Sequence, residues 1–165
     1  MAAVIAFTIL GEPASKANSR VLSTIGPKDN RRTILRKGNK ALDYEKAALQ
    51  QIPPRARVRL DGPVRITLRI FYATERPDLD ESIVLDVLQD RWVKCEPYVD
   101  PLGKEQTRRL VQSGVYRNDR QVREKHVFHE IDRRNPRTEV TVEPLQAQQP
   151  ELLGADLIAE AEVPF

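Results

Sequence analysis

The chain has 165 residues, 40% of them apolar, and a formal charge of +3, which suits a single domain with a modest core. Cys95 is the only cysteine, so an intrachain disulfide and the cysteine-rich zinc patterns are excluded. Charge is unevenly spread: Glu151, Asp156, Glu160 and Glu162 fall in residues 151–165 with no Lys or Arg, leaving +7 on residues 1–150, a balance that favours a phosphate backbone.

Residues 4–10 are rich in Val, Ile, Phe and Thr and read as a strand. The apolar start lacks the basic head and small-residue cleavage site of a secretory signal. No run approaches the roughly 20 apolar residues of a membrane-spanning helix, so a cytoplasmic protein without a membrane partner is expected. Gly11-Glu12-Pro13 breaks the strand, and residues 15–40 are basic, polar and poor in apolar positions, which predicts loops. Residues 41–52 read as a helix that Pro53-Pro54 stops. Residues 64–72 alternate: Val64, Ile66, Leu68 and Ile70 face one way, and Arg65, Thr67 and Arg69 the other, a half-buried strand with one basic face. Asp78 or Asp80 then caps a helix running to about Arg91, with Leu79, Ile83, Val84, Val87 and Leu88 as its apolar stripe. Residues 91–113 are expected to be a loop broken by Pro97, Pro101 and Gly103, followed by a short helix over 104–112. Residues 121–131 and 138–142 read as two strands of a hairpin around Asn135-Pro136, and the Gln/Ala/Glu-rich residues 146–165 as a disordered acidic tail.

The order strand, helix, strand, helix, strand, strand predicts an α+β fold over residues 1–145. It is a small four-stranded mixed sheet with two helices on one face and an inserted segment at about 91–113. The other face, with Arg65 and Arg69, is left for a partner subunit or DNA.

The chemistry concentrates in Arg76-Pro77-Asp78-Leu79-Asp80-Glu81, with Asn118-Asp119 returning from a later turn. In an extended entry to a helix, alternate residues point the same way, so Asp78 and Asp80 converge while Leu79 anchors inward. Carboxylates this close repel unless a cation neutralises them, and oxygen donors of this kind take Mg²⁺ or Mn²⁺. An isolated Asp-X-Asp also serves as a plain helix cap. Asp86, two turns on, is a further candidate ligand. His126 and His129 fall on opposite faces of one strand and cannot form a ligand pair; Trp92 and Tyr98 are expected to pack the inserted segment.

Arg76 to Leu88, with Gly114-Val115-Tyr116-Arg117-Asn118-Asp119-Arg120-Gln121-Val122, resembles the RusA family of Holliday junction resolvases, common in prophages. Pro13 to Arg20 resembles the family's N-terminal loop, and Asn135 to Val140 its closing hairpin. The resemblance covers residues 4–143. It implies a Mg²⁺-dependent homodimer that cuts four-way DNA junctions in recombination and repair, with Asp78, Asp80 and Asp119 as catalytic metal ligands and Glu81 as a possible fourth. A family lysine one turn into the metal helix falls on Val84, so Lys94, Lys104 or a nearby arginine is expected to supply the charge. Lys16, Asn18, Arg20, Arg65, Arg69, Arg76, Arg120 and Arg123 are the expected DNA contacts. The acidic stretch ending at Phe165 is similar to the tips of bacterial single-strand-binding proteins, which implies a host protein that reads such tips as a partner. The alternative is a non-catalytic DNA- or RNA-binding module whose acids are structural. A hydrolase of small phosphoesters is disfavoured by the lack of a phosphate-cradling glycine loop.

Overall fold

A computed structural model describes residues 4–15 and 20–145. It is α+β, with β1 (Ile5–Leu10), β2 (Arg20–Ile25), β3 (Arg32–Lys37), α1 (Asn39–Gln51), β4 (Val64–Tyr72), α2 (Ser82–Leu88), β5 (Arg91–Val99), β6 (Glu105–Gln112), β7 (Val122–Ile131) and β8 (Arg137–Pro144). The main sheet has the order β1-β8-β4-β7; β4 runs parallel to β7 and antiparallel to β8.

The alternation in β4 sets the layers. Val64, Ile66, Leu68, Ile70 and Tyr72 are buried and face the helices, joined by Val140 and Val142 of β8 and Ile9 of β1. Helix α1 contributes Ala41, Tyr44, Ala48 and Leu49, and α2 contributes Ile83, Val84, Val87 and Leu88. Each fully buried branched side chain is worth roughly 1.5–3 kcal/mol of apolar transfer, so a seven-residue α2, too short to persist alone, is held by its packing. Leu79 lies before the helix and is 40% exposed, so it does not anchor inward as the stripe implied.

The expected hairpin of the last two strands is not formed. Strand β4 lies between β7 and β8, so residues 132–136 cross its end, where Asp132 N donates to Tyr72 O at 2.9 Å. Residues 91–113 are not a loop and short helix but the hairpin β5–β6. Asp100 Oδ1 accepts from Leu102 N and Lys104 N, both at 2.9 Å, and Gly103 takes φ 77°, a turn that Asp-Pro-Leu-Gly encodes. Pro97 is tolerated because the ladder is irregular between Lys94 and Tyr98. The loops expected over 15–40 contain a second hairpin, β2–β3.

A buried carboxylate paired to a partly exposed arginine locks the far end of α2. Asp90 Oδ2 accepts from Arg59 Nε at 2.8 Å and Oδ1 from Gly114 N at 2.9 Å. Helix α2 ends at Leu88, two residues before this acid, and not near Arg91.

Candidate functional site

Two groups of acids flank α2. At its N-terminal end the anchor is Tyr72, a core residue 1% exposed. Its hydroxyl donates to Asp78 O at 3.3 Å and accepts from Asp80 N at 3.4 Å, so the last residue of β4 fixes the backbone of the acidic segment. Asp80 Oδ1 accepts from Ser82 N at 2.9 Å and Ser82 Oγ at 2.6 Å, and Oδ2 from Ser15 Oγ at 3.1 Å. Asp80 thus satisfies the Ser82 amide from one residue before the N-cap position, which Glu81 holds without a side-chain cap bond, so neither Asp78 nor Asp80 is the N-cap residue expected from the sequence. Glu81 accepts from Lys125 of β7. Burial raises the Tyr72 hydroxyl's pKa, and the negative charges of Asp80, Glu12 and Glu81 add to the shift.

Glu12 is a residue that sequence reasoning missed. It comes from the break after β1, where its Oε2 accepts from Ala73 N at 2.9 Å. With Ser15, Lys40, Arg76 and Asp78 it lines a cleft of about 350 Å³ beside the acidic segment. The Glu-Pro pair read only as a strand breaker; nothing local distinguished this acid from a turn residue.

The second group lies at the other end of α2. Asp119 opens a 3₁₀ turn, Asp119–Gln121, and its amide faces Gln89 Oε1 at 3.4 Å, just past the helix. The turn is clamped by Gln121, whose Oε1 accepts from Arg117 N at 2.7 Å and whose Nε2 donates to Leu60 O at 2.9 Å and Gly62 O at 2.8 Å. The glutamine of the motif is therefore structural. Tyr116, fully buried, donates to Leu85 O at 3.0 Å; burial, with the charges of Asp119 and Asp86 added, holds its hydroxyl far above the usual tyrosine range. Asp86 accepts from Lys37 Nζ at 3.2 Å, and Lys37 also meets Glu45 at 2.9 Å. Burial opposes the Lys37 ammonium, but Glu45 and Asp86 outweigh it and raise its pKa.

The expected three-acid set is not gathered on one point. Asp80 and Asp119 sit at opposite ends of a helix that rises about 10 Å over its seven residues. Among the described residues, no group of three or more His, Cys, Asp or Glu side chains is close enough to hold a metal ion together. The donors are hard oxygens of the kind Mg²⁺ and Mn²⁺ take, but their arrangement does not fit one shared ion. Asp119 instead shares its surroundings with Asp86.

The expected DNA contacts fall into three sets. Arg20 begins β2 and is exposed, and Arg76 lines the acidic cleft. Arg120 and Arg123 border a second cleft of about 470 Å³ with Gly62 and Asn118. Arg65 and Arg69 are on the open face of the sheet, but they are ion-paired: Arg65 with Glu124 at 2.5 Å and Glu143 at 3.8 Å, Arg69 with Glu130 at 3.1 Å. The basic face read from β4 is thus neutralised by glutamates of β7 and β8. Lys16, Asn18 and Phe165 lie outside the described residues.

The lysines expected to replace a helix lysine are elsewhere: Lys94 is on β5 and Lys104 in the β5–β6 turn. Val84 is fully buried. Trp92 and Tyr98 are 49% and 41% exposed, so they do not pack the insertion into a core. His126 aligns with Thr67 on the open face, whereas His129 stacks on Tyr72 with ring centroids 4.8 Å apart. No protein-family model matches the chain, and no curated protein matches it. Among the described residues no helix is long and apolar enough to cross a membrane.

Proposed function

We propose that this chain is a metal-dependent endonuclease that cuts branched DNA, with four-way junctions as substrate and Mg²⁺ or Mn²⁺ as cofactor. The observation that carries the reading is the enclosure of α2 by acids with basic side chains beside them: Glu12, Asp78, Asp80 and Glu81 near Arg76, Lys40 and Lys125, and Asp86 near Lys37. Acids set among bases in a positive body suit a polyanion whose cleavage needs a cation. Symmetric cutting of a junction needs two equivalent sites, which a two-fold homodimer supplies.

The test is incubation of the protein with synthetic four-way junction, flap, duplex and single-stranded DNA, with and without Mg²⁺. Metal-dependent cuts in the junction are expected. Asp80→Asn and Asp119→Asn should each reduce cleavage strongly and retain binding; cleavage at the normal rate by both variants overturns a catalytic role for the acids at the two ends of α2. The second reading, a nucleic-acid-binding module without catalysis, is favoured by the separation of Asp80 from Asp119 along α2. Tight junction binding with no cleavage in either metal selects it.

A further inference from the structure

The hairpin β2–β3 has the composition, shape and attachment of a nucleic-acid ribbon. Residues 20–37 carry Arg20, Lys28, Arg31, Arg32, Arg36 and Lys37 against the single acid Asp29. Among the described residues the two strands pair with each other and with no other strand. A two-stranded hairpin is at best marginally stable alone in water, and this one leaves Leu22 71% and Leu35 54% exposed as a cross-strand pair. Arg32 and Arg36 are four residues apart, so they share one face of the ribbon, where they pair with Ile25 and Val21. Exposed apolar side chains between cations are what a helical groove accepts, where they meet base edges and sugars while the cations meet phosphates.

The last residue of β3 is tied to the candidate site, and a residue that precedes the hairpin in sequence also reaches it. Ser15, before the hairpin, donates to Asp80 at 3.1 Å, and Lys37, at its end, donates to Asp86 at 3.2 Å. A polymer held by the ribbon therefore passes the acids around α2. The far tip is fixed by Gly26, which takes φ 111° and where an added Cβ would lie 2.3 Å from Asn30 O.

We propose that β2–β3 lies in the major groove of a DNA duplex arm and holds that arm against the acidic end of α2. The major groove is about 12 Å wide and admits a two-stranded ribbon. The inference rests on the reading of the chain as a DNA enzyme and extends it from the acids to the surface that grips the substrate. The occupant is a duplex because the ribbon's charge is almost wholly positive and its exposed apolar residues are interleaved with that charge.

Binding separates this proposal from catalysis. A labelled 30-base-pair duplex is titrated in EDTA, so that no cleavage enters the measurement, over a range of salt concentrations. Arg31→Ser, Arg32→Ser and Arg36→Ser combined should weaken affinity at least tenfold and reduce the salt slope by about 2–3, near 0.9 for each phosphate no longer neutralised. Gly26→Ala keeps every charge and should also weaken binding and remove protection of guanine N7, a major-groove atom, from methylation by dimethyl sulfate. Arg133→Ser with Arg134→Ser, in the turn between β7 and β8, serves as a charge control and should leave N7 protection intact. Wild-type affinity in the triple variant, wild-type binding by Gly26→Ala, or unprotected N7 in the wild type overturns the ribbon. Preferential binding to anionic lipid vesicles over the duplex overturns it too. If the junction is never cut yet the ribbon variants lose duplex binding, the nuclease reading fails and this one stands.

Discussion

Lys125, in the first half of β7, donates its ammonium to Glu81, the residue at the N-terminal boundary of α2. A lysine thus reaches the acidic end of α2 from the sheet, while position 84 on the helix itself is a core valine. The two positions are not interchangeable. Lys125 spans a half-exposed gap between two elements, and Val84 has no solvent to receive a charge.

Val84→Lys should therefore destabilise the fold by on the order of 3 kcal/mol, because it buries an unpaired ammonium. Lys125→Gln should cost less than about 1 kcal/mol, as for a partly exposed ion pair. Urea unfolding of the two variants measures both, and a stability near wild type for Val84→Lys would contradict the packing of α2.

Asp90 and Gly114 should be among the least tolerant positions. Asp90→Ala leaves the buried Gly114 amide without its acceptor and the partly exposed Arg59 without its partner, and should cost about 1–3 kcal/mol. Gly114→Ala places a Cβ 2.4–2.6 Å from backbone atoms of residues 88–90, which no side-chain movement relieves. Thermal melting checks both; an unchanged midpoint in Gly114→Ala would refute the close approach of these two backbones.

The buried tyrosines make the fold sensitive to alkali. Burial raises the Tyr44 hydroxyl from about 10 to about 12. The folded state thus holds its proton while the unfolded chain releases it. The stabilisation is fully present below pH 10 and is lost as pH rises from 10 towards 12, on the order of 3 kcal/mol for this one group. Tyr116 and Tyr72 shift in the same direction. Denaturant midpoints between pH 9 and pH 12 should fall, and Tyr44→Phe should reduce that fall; equal slopes would remove Tyr44 from the account.

Arg65 and Arg69 should matter little for DNA. Their charges are already met by Glu124, Glu143 and Glu130. Arg65→Ala with Arg69→Ala should change duplex affinity by less than about threefold, since neither frees a phosphate-bound counterion. A loss as large as that of the β2–β3 arginine variant would mean that the open face of the sheet is the binding surface.

The layers of the fold were legible because β4 alternates without interruption and because Pro53-Pro54 ends α1 sharply. The two small hairpins were not, and the reasons are particular. Pro97 sits inside β5 at an irregular stretch of the ladder, where it forfeits no regular bond, so a residue that normally argues against a strand is harmless there. Strands β2 and β3 bury almost nothing, so they have no polar–apolar alternation to read. The position of β4 between β7 and β8 was also hidden, because a five-residue crossing and a hairpin turn look alike in one dimension. In the candidate site, the acids of 78–81 and the 118–121 turn were visible as motifs. Glu12, Lys125 and Lys37 are brought to α2 only by tertiary packing, and the glutamates opposing Arg65 and Arg69 lie in other strands.

The strand order has a consequence for how the chain comes to be folded during synthesis. Among the described residues β1 pairs only with β8, and β4 only with β7 and β8. A nascent chain that ends before residue 122 has both small hairpins and both helices but no partner for β1 or β4. The two edges of β4 then wait for residues 122–145, about the last sixth of the described sequence. Loop closures over roughly sixty residues must precede the reward of sheet pairing. The main sheet therefore cannot close until β7 and β8 are present, and until then the hydrogen-bonding edges of β4 have no strand to meet.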